Sequence, residues 1–257
     1  MKEVKTIYYS DELNDEFAGD QIKAKVIDKN YRYERNPFLH FFFYRMIATP
    51  LAYLYLKIKF HHKIINKKVL KPYKKEGYFM YGNHTNQIPD ALIPTMITSP
   101  KDAYVIVHPN NVSMPFLGKI NPYLGALPLP DDLSSSRNFI KCIENKLSKK
   151  KSIVIYPEAH IWPYYTKIRP FKDTSFHYPI KYKKPIFIFV NTYQQRKKKE
   201  KVNIVTYVDG PFFPDETLPL SEQKKKLRDE VYSKMVNLSK NSNYEVIHYQ
   251  KKEQIDD

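Results

Sequence analysis

Glycine and cysteine are both scarce in this sequence. Six glycines occur in 257 residues and they never cluster. The phosphate-binding loops of P-loop and dinucleotide enzymes need closely spaced glycines, because the backbone turns tightly there and approaches the phosphates. Cys142 is the single cysteine, so no internal disulfide and no paired-cysteine metal or redox site can form. These shortages argue against nucleotide-loop enzymes and disulfide scaffolds, and they favour a reducing compartment.

Acidic residues are outnumbered by basic ones. The chain has 43 Lys and Arg against 27 Asp and Glu, which gives a net charge of +16. A basic surface attracts anionic lipid headgroups or nucleic acid, and the 22 Tyr and 15 Phe suit a lipid interface. The sequence has no RNP-like motif, C2H2 spacing or basic heptad region. We therefore predict a membrane lipid surface as partner and no nucleic acid, with a basic nucleic-acid-binding protein as the alternative.

Long apolar runs are scarce too. The first 17 residues have no apolar core beside their lysines and do not predict a signal peptide. One run, residues 38–56, is 19 residues long, close to the length of about 20 that spans a bilayer. It contains Pro50 and Arg45, and an arginine at mid-bilayer costs at least about 2.5 kcal/mol. We predict a monotopic or peripheral segment; a buried aromatic helix packed on a soluble domain is the alternative.

Changes in composition divide the chain into three parts. Residues 1–37 are polar and aromatic without a sustained period, which predicts a weakly ordered arm. Residues 38–74 hold the apolar run and a basic linker, and the basic flank favours the cytoplasmic face of the membrane. Residues 75–257 alternate between strand and helix patterns and predict the main domain, which ends in an amphipathic helix.

Short apolar runs after residue 75 predict strands. These runs are 77–82, 103–107, 152–157, 186–190 and 202–208. Helical patterns separate them: one opens at Pro89, one is capped by the serines at 134–136, and one begins after Ser221. Strands that alternate with helices predict an α/β fold with a mixed, largely parallel sheet flanked by helices.

A polar segment follows the first of these strands directly. Asn83 and His84 stand at its carboxyl end, the edge where α/β sheets bind their ligands. Asp90 follows at the predicted start of a helix, where the macrodipole keeps a carboxylate ionised. Such an aspartate can hold a histidine in the tautomer whose other nitrogen accepts a proton. His84 and Asp90 are therefore candidate catalytic residues; a histidine held by structural contacts is the alternative.

No protein nucleophile accompanies this pair. The sequence has no G-x-S-x-G, and Cys142 lies in a helical pattern with Ile140 and Ile143 rather than on a turn. The proton that His84 accepts would then belong to the substrate. This arrangement predicts direct transfer to a substrate hydroxyl, without a covalent enzyme intermediate.

Glu158 ends another predicted strand and begins a basic segment. The histidine and the cations that follow it are His160, Lys167, Arg169 and Lys172. A carboxylate followed by cations suits an anionic headgroup, because the cations bind the anion while the carboxylate orients them. Glu158 and the four residues after it are therefore candidate substrate-binding residues.

The same polar residues allow a second chemistry. A metal-dependent hydrolase would use His84, Asp90, Glu158 and His160 as ligands. Their spacing matches no standard metal motif such as H-E-x-x-H. We predict no metal and keep the hydrolase as an alternative.

The order of these segments resembles the motifs of the lysophospholipid acyltransferases, the family that includes the 1-acylglycerol-3-phosphate acyltransferases. Their first motif is N-H, four residues and D, and their third is F-P-E-G-T-R followed by F-K. A proline and a strand mark their fourth. In motif order, the matching segments here are 83–90, 125–132, 156–172 and 182–190. The resemblance covers roughly residues 75–215 in the correct order.

The resemblance implies an O-acyltransferase of phospholipid biosynthesis. His84 and Asp90 would activate the acceptor hydroxyl against the thioester of acyl-CoA or acyl-carrier protein, with no further cofactor. Asn83, Glu158 and the cations after it would bind the acceptor, and Arg137 would join them from beside the second motif. The expected acceptor is a lysophospholipid such as 1-acylglycerol-3-phosphate.

The first motif departs from the family in its length. Five residues rather than four separate His84 from Asp90. We expect Pro89 to place the helix start after most of this segment, so that the loop absorbs the extra residue.

The other motifs depart from the family in their charges. Residues 158–161 read E-A-H-I where the family has E-G-T-R, so Arg169 or Lys167 would have to replace the missing arginine. The second motif ends in aspartates at 131–132 where the family often has arginine, although Arg137 is near. An acceptor other than lysophosphatidate is therefore an open alternative.

Overall fold

The centre of the protein is a seven-stranded sheet. The computed structural model describes residues 4–18, 22–196 and 201–252. The strands of the described chain, seven in this sheet and two in a smaller one, are in chain order β1 (Lys5–Tyr9), β2 (Lys63–Ile65), β3 (Tyr78–Gly82), β4 (Ala103–Val107), β5 (Ala126–Pro128), β6 (Ser152–Ile155), β7 (Ile186–Gln195), β8 (Val202–Phe212) and β9 (Ile247–Lys251). The large sheet has the order β2-β8-β7-β3-β6-β4-β5, and its pairs are parallel except β7 with β8. This confirms the predicted mixed, largely parallel sheet.

Helices cover both faces of this sheet. They are α1 (Pro37–His40), α2 (Thr49–Phe60), α3 (Gln87–Thr98), α4 (Asn110–Ser113), α5 (Leu117–Ile120), α6 (Leu133–Ser148), α7 (His177–Tyr182) and α8 (Leu220–Ser239). A π-helical stretch, Phe41–Ala48, joins α1 to α2. Short 3-10 helices lie at Lys67–Leu70, Asn121–Leu124 and Thr174–Phe176.

The central strand β3 lies between β6 and β7, and it is buried on both faces because helices pack on both sides of the sheet. Its side chains alternate between two cores, as the period of two in a strand requires. Phe79 and Tyr81 pack in the core that includes residues of α6 and α8. Tyr78 and Met80 pack in the other core, with residues of α2 and α3. The carboxyl end of β3 is therefore held from both sides.

All three predicted helices begin elsewhere than the sequence predicts, and α8 begins at Leu220 rather than after Ser221. α3 begins at Gln87 rather than Pro89, so Pro89 is its third residue. A proline is tolerated there because the N–H groups of the first helical turn have no partner within the helix. α6 is capped by Asp132 rather than by the serines at 134–136. The Asp132 carboxylate accepts the backbone N–H of Ser135 at 2.7 Å, and the Ser135 hydroxyl accepts the backbone N–H of Asp132 at 3.2 Å. This reciprocal pair is a capping box.

The expectation of a weakly ordered N-terminal arm is wrong for the described residues. β1 pairs in parallel with β9 over five residue pairs, which joins both terminal segments in a second small sheet. Ile27 and Tyr33 are buried in the main core. The backbone N–H of Ile27 donates to Asp131 at 2.5 Å, and the Tyr33 hydroxyl donates to the Pro128 carbonyl at 3.1 Å. Isolated aromatic and apolar residues, rather than a regularly spaced set, attach the arm to the domain, so the period of its apolar residues did not reveal the contact.

The predicted membrane segment is helical from Pro37 to Phe60. It buries Ala52, Leu56 and Phe60 against the domain. Large apolar side chains on it remain exposed: Phe38, Phe41, Phe42, Met46, Ile47, Leu51, Tyr53, Leu54 and Ile58. Within the part of the chain that the structure describes, no helix has both the length and the apolar character needed to cross a membrane.

Candidate active site

His84 lies two residues beyond the carboxyl end of β3. Gly82, the last residue of that strand, approaches Phe189 so closely that an added Cβ would lie 2.2 Å from its ring. Any larger residue at this position would have to displace the Phe189 ring. The polar segment therefore leaves the sheet where β3 lies between β6 and β7.

His84 and Asp90 form the expected contact. The Nδ1 atom of His84 lies 2.9 Å from Oδ2 of Asp90, and Asp90 is buried. The same Oδ2 accepts the backbone N–H groups of Thr85 and Asn86 at 2.7 and 2.8 Å. The side-chain amide of Asn191 donates to Oδ1 at 3.1 Å. Four donors thus fix one carboxylate beneath the histidine.

The extra residue of the first motif is not absorbed entirely in the loop. Because α3 begins at Gln87, three of the five residues between His84 and Asp90 are helical. Thr85 and Asn86 alone form the connection, and their backbone N–H groups fold onto the Asp90 carboxylate. The contact between His84 and Asp90 survives because the first helical turn brings the carboxylate back towards the loop.

The hydrogen bonds define which nitrogen of His84 is available. An ionised carboxylate only accepts, so the proton lies on Nδ1 and Nε2 carries a free lone pair. Among residues 4–18, 22–196 and 201–252, Nε2 has no hydrogen-bonding partner, and the side chain is 19% exposed. The ring stacks on Tyr156, with centroids 4.4 Å apart and an interplanar angle of 18°. His84 is therefore oriented on two sides and accessible at Nε2.

Tyr156 is held in turn by the backbone of Asp90. Its hydroxyl donates to the Asp90 carbonyl. In a regular helix this carbonyl would accept the N–H four residues later, but that residue is Pro94, which has none. Burial and the nearby Asp90 carboxylate raise the pKa of Tyr156 well above its ordinary value, so the hydroxyl stays a donor. The helix-interior proline thus frees a carbonyl that positions Tyr156 beneath the His84 ring.

Asn83 is a structural partner of β7. Its side-chain amide donates to the Asn191 carbonyl at 3.0 Å, and its Oδ1 accepts the Asn191 backbone N–H at 2.8 Å. Thr206 on β8 donates to Oδ1 of Asn191 at 2.7 Å, which orients the amide that reaches Asp90. Asn83 is 1% exposed. Its described contacts fix the strand end rather than present a group to solvent.

Glu158 joins the third motif to the loop that carries His84. Its carboxylate accepts the backbone N–H of His84 at 3.0 Å and that of Arg169 at 2.9 Å. The Arg169 guanidinium lies 3.6 Å away. Burial raises the pKa of Glu158, while the Arg169 charge and the two N–H donors oppose that rise. Glu158 therefore acts as a fixed acceptor that sets the backbone at His84.

Arg169 is sealed inside the protein. Its side chain has no exposed surface, and its guanidinium donates to the carbonyls of Glu12 and His160. The guanidinium also lies over the ring of Trp162, 5.0 Å from its centroid. In this conformation it holds the loop after Glu158 against the N-terminal arm. It does not replace the arginine missing from the third motif.

For the other predicted substrate-binding residues, the structure describes no side-chain contact with His84 or Asp90. Lys167, Lys172 and Arg137 are exposed. His160 faces Glu16, with Nδ1 3.8 Å from the carboxylate. Substrate binding by these four residues stays a prediction. Within the described part of the chain, no group of three or more His, Cys, Asp and Glu side chains is arranged to hold a metal ion.

The sequence analysis did not identify three residues that help to form this site, namely Asn191, Thr206 and Ala159. Asn191 on β7 and Thr206 on β8 are polar residues with buried side chains, and a polar residue at a buried strand position is the signal that marks a partner of another buried polar group. Ala159 was expected only as a departure from the third motif. It has φ of +64°, the left-handed conformation that glycine, the family's residue at that position, adopts freely.

The fold places a His-Asp pair at the carboxyl end of a central strand of an α/β sheet, and comparison with known proteins names the family. The family model described as Acyltransferase matches residues 58–192, which is more than half of the chain. The protein is therefore a member of the acyltransferase family.

A solved structure shows the same fold. It is the crystal structure of the 1-acyl-sn-glycerophosphate (LPA) acyltransferase PlsC from Thermotoga maritima, with a TM-score of 0.52 and 15% sequence identity. The match covers 76% of this chain and 78% of that one. No curated protein matches this sequence as a relative.

Proposed function

We propose that the protein transfers a fatty acyl group from acyl-CoA or acyl-carrier protein to the hydroxyl of a lysophospholipid in phospholipid biosynthesis. The observation that carries this proposal is the His84–Asp90 pair, with Nε2 of His84 free and accessible. The family supplies acyl transfer, and the PlsC fold favours a glycerophospholipid acceptor.

His84 acts as general base in this proposal. Its Nε2 takes the proton of the acceptor hydroxyl as the hydroxyl oxygen attacks the thioester carbonyl carbon. The C–O bond forms, the C–S bond breaks, and the departing thiolate receives that proton from the imidazolium. The Asp90 carboxylate stabilises the imidazolium and keeps the ring in the required tautomer. No external reactant, metal or cofactor is needed for this balance.

The acceptor is the open part of the proposal. The third motif has His160-Ile161 where the family has Thr-Arg, and Arg169 is committed to the loop. The exposed cations Lys167, Lys172 and Arg137 are the candidates for headgroup binding. A lysophospholipid other than 1-acylglycerol-3-phosphate fits these departures.

We also propose that the enzyme works on the cytoplasmic face of a membrane as a monotopic or peripheral protein. The exposed apolar side chains between Phe38 and Ile58 support this, because large contiguous apolar surface marks a membrane or partner contact. The net charge of +16 favours an anionic lipid surface. If the protein instead binds nucleic acid, a high-salt wash will release it from a membrane pellet.

The deciding experiment is acyl transfer by purified protein, with both thioester donors and a panel of lysolipids. We expect His84→Ala and Asp90→Asn each to lower kcat by at least about a hundredfold. His84→Ala removes the general base, and Asp90→Asn removes the carboxylate that holds the histidine in the required tautomer. His248→Ala is the matched control, because His248 is an exposed histidine paired with Glu245. Wild-type turnover by a folded His84→Ala variant would disprove the mechanism, and loss of activity on chelation would favour the hydrolase alternative.

A further inference from the structure

A cavity of about 350 Å³ lies beside the start of the apolar helical segment, away from His84. Five cationic side chains line it: Arg35, Arg45, Lys146, Lys149 and Lys151. They come from three parts of the chain, namely the residues before α1, the π-helical stretch, and the end of α6 with the turn after it. The tertiary fold alone brings them together.

Carboxylates neutralise only part of this charge. Asp102 forms ion pairs with Arg45 and Lys151, and Glu34 pairs with Lys146 at 2.8 Å. The five cations and two carboxylates leave a surplus of three positive charges, with the histidine counted as neutral. A cavity with such a surplus attracts an anion.

Two of the cations, Arg35 and Lys149, have groups that are not paired within the described part of the chain. The Nε–H of Arg35 is buried and has no hydrogen-bonding partner within the described ranges. Its Nη2 donates to the Tyr31 hydroxyl at 2.9 Å, which fixes the guanidinium in place. Lys149 is exposed, and no carboxylate in the described part of the chain lies within ion-pair distance of it. A fixed guanidinium with an unsatisfied N–H and an ammonium without an ion pair, in the wall of one cavity, suit a multivalent oxyanion.

The cavity is continuous with the exposed apolar surface. Pro37, His40 and Phe41 form part of its wall, at the beginning of the helical segment. Phe38 and Phe41 next to it are 72% and 56% exposed. A ligand in the cavity would therefore have charged groups on one side and an apolar surface on the other, as an amphiphile requires.

The cavity and His84 lie at opposite ends of the sheet. Ser152 pairs with both Tyr78 and Ala103, so Asp102 and Lys151 stand level with the start of β3. His84 follows the end of that strand. At about 3.3 Å per residue, the separation along the strand direction is roughly 20 Å. An anion in the cavity cannot be a group that reacts at His84.

We propose that this cavity is a second, non-catalytic site that binds the phosphate of an anionic phospholipid. The phosphate contacts Arg35 and Lys149, and the acyl chains of the lipid follow Phe38 and Phe41 into the bilayer. The proposal rests on the proposed membrane location. It adds to that location a defined headgroup site, which orients the protein on an anionic membrane.

The test uses the full-length protein with a water-soluble short-chain phosphatidic acid, inorganic phosphate, and phosphatidylcholine vesicles with and without phosphatidic acid. The variant is Arg35→Gln with Lys149→Gln. Its matched control is Arg32→Gln with Lys141→Gln, which removes the same charges from exposed positions of the same segments outside the cavity. Lys149→Gln alone is a second variant, since its exposed side chain makes no described ion pair.

We expect the double variant to bind short-chain phosphatidic acid about tenfold more weakly or worse, because charge-assisted hydrogen bonds are lost. The control should bind as wild type, and Lys149→Gln should show a smaller loss. Recruitment to vesicles containing phosphatidic acid should fall in the same order. Turnover on soluble substrates should stay unchanged, which separates this site from the proposed function.

Three results would overturn the proposal. If the cavity variant and the control lose equal affinity for phosphatidic acid, general surface charge rather than the cavity causes the binding. Equal affinity for inorganic phosphate and short-chain phosphatidic acid would show a site for free phosphate. If both cavity variants bind lipid as wild type does and still transfer acyl groups, the lipid site is disproved and the proposed acyl-transfer function is not affected.

Discussion

Pro94 and Tyr156 act as a pair at the scale of single residues. A proline in a helix interior ordinarily costs about 3 kcal/mol, partly because a carbonyl loses its donor. Here the freed carbonyl belongs to Asp90, and the Tyr156 hydroxyl supplies the missing donor. The same tyrosine stacks on His84. An apparent defect of α3 therefore connects the two candidate catalytic residues through a third side chain.

A double-mutant cycle tests this pair. We expect Tyr156→Phe to lower the free energy of unfolding by about 1–3 kcal/mol, because it leaves a buried carbonyl without a donor. In a Pro94→Ala background the new backbone N–H can reach the same carbonyl, so the cost of Tyr156→Phe should shrink. Urea unfolding of the four proteins measures both costs. Equal costs in the two backgrounds would show that the two residues are independent.

Ala159 is a second residue whose backbone matters more than its side chain. Its φ of +64° is unfavourable for any residue with a Cβ. Ala159→Gly should raise the free energy of unfolding by about 1 kcal/mol, after the greater freedom of glycine in the unfolded chain is subtracted. Chemical unfolding measures it against Ala91→Gly, an exposed position in α3, where the same change should destabilise by about 1 kcal/mol. Destabilisation in both variants would contradict the strain at Ala159.

At the scale of elements, β1 and β9 form a clasp outside the segment that the family model matches. The clasp is the two-stranded sheet with the residues beside β1 that contact the loop after Glu158. The Trp162 indole donates to the Asp15 carbonyl at 2.8 Å, and the Tyr249 hydroxyl donates to the Pro163 carbonyl at 2.9 Å. Tyr249 also stacks on Trp162 at 5.1 Å. The termini therefore brace the loop whose Glu158 holds the backbone of His84.

Removing one ring from the clasp should weaken the whole brace. Tyr249→Ala should lower the free energy of unfolding by about 2 kcal/mol, through lost stacking and one hydrogen bond, and Tyr249→Phe by about 1 kcal/mol. Tyr8→Ala is the control, because Tyr8 points outward from β1 and is 55% exposed. Denaturant unfolding gives the values. If Tyr8→Ala costs as much as Tyr249→Ala, the contacts with the loop are not what stabilises the clasp.

At the scale of the whole molecule, one chain of hydrogen bonds crosses the sheet to the candidate active site. His62 lies in the wall of a cavity of about 500 Å³ beside α2. Its Nε2 is 2.8 Å from the Thr206 hydroxyl, which donates to Asn191. Asn191 donates to Asp90, which accepts from His84. Because the hydroxyl has one proton and gives it to Asn191, His62 must be the donor to Thr206.

This network makes stability depend on pH through His62. Burial lowers the pKa of His62 to about 4 from 6.5. The unfolded chain therefore takes up a proton before the folded protein does, and the stability present above about pH 6.5 is lost as the pH falls towards 4.

His62→Gln should remove much of this dependence, because glutamine still donates to Thr206 but does not titrate. Between neutral pH and about pH 4.5, wild type should lose roughly 2 kcal/mol more unfolding free energy than the variant. Unfolding by urea across this range is the measurement, and His61→Gln at the exposed neighbouring position is the control. Parallel pH curves for wild type and His62→Gln would exclude burial of a neutral imidazole.

The sequence by itself determined the sheet class, its five longer central strands and the meeting of His84 with Asp90. Those features depend on local patterns: buried strands read as apolar runs, and a strand that ends in a polar turn places that turn at the edge of the sheet. The order of the motifs was enough to indicate the acyltransferase family, which the family model then confirmed.

Only the tertiary structure decided the tasks of the other polar residues. Arg169 and Glu158 look like a headgroup site in sequence, yet they face each other inside the protein, because the arm and β9 close over them. Asn191, Thr206 and the five cations of the cavity are separated by long stretches of chain, and no local pattern relates them. Hydrogen bonds and surplus charge between distant segments depend on how the chain packs, so they become visible only once it has folded.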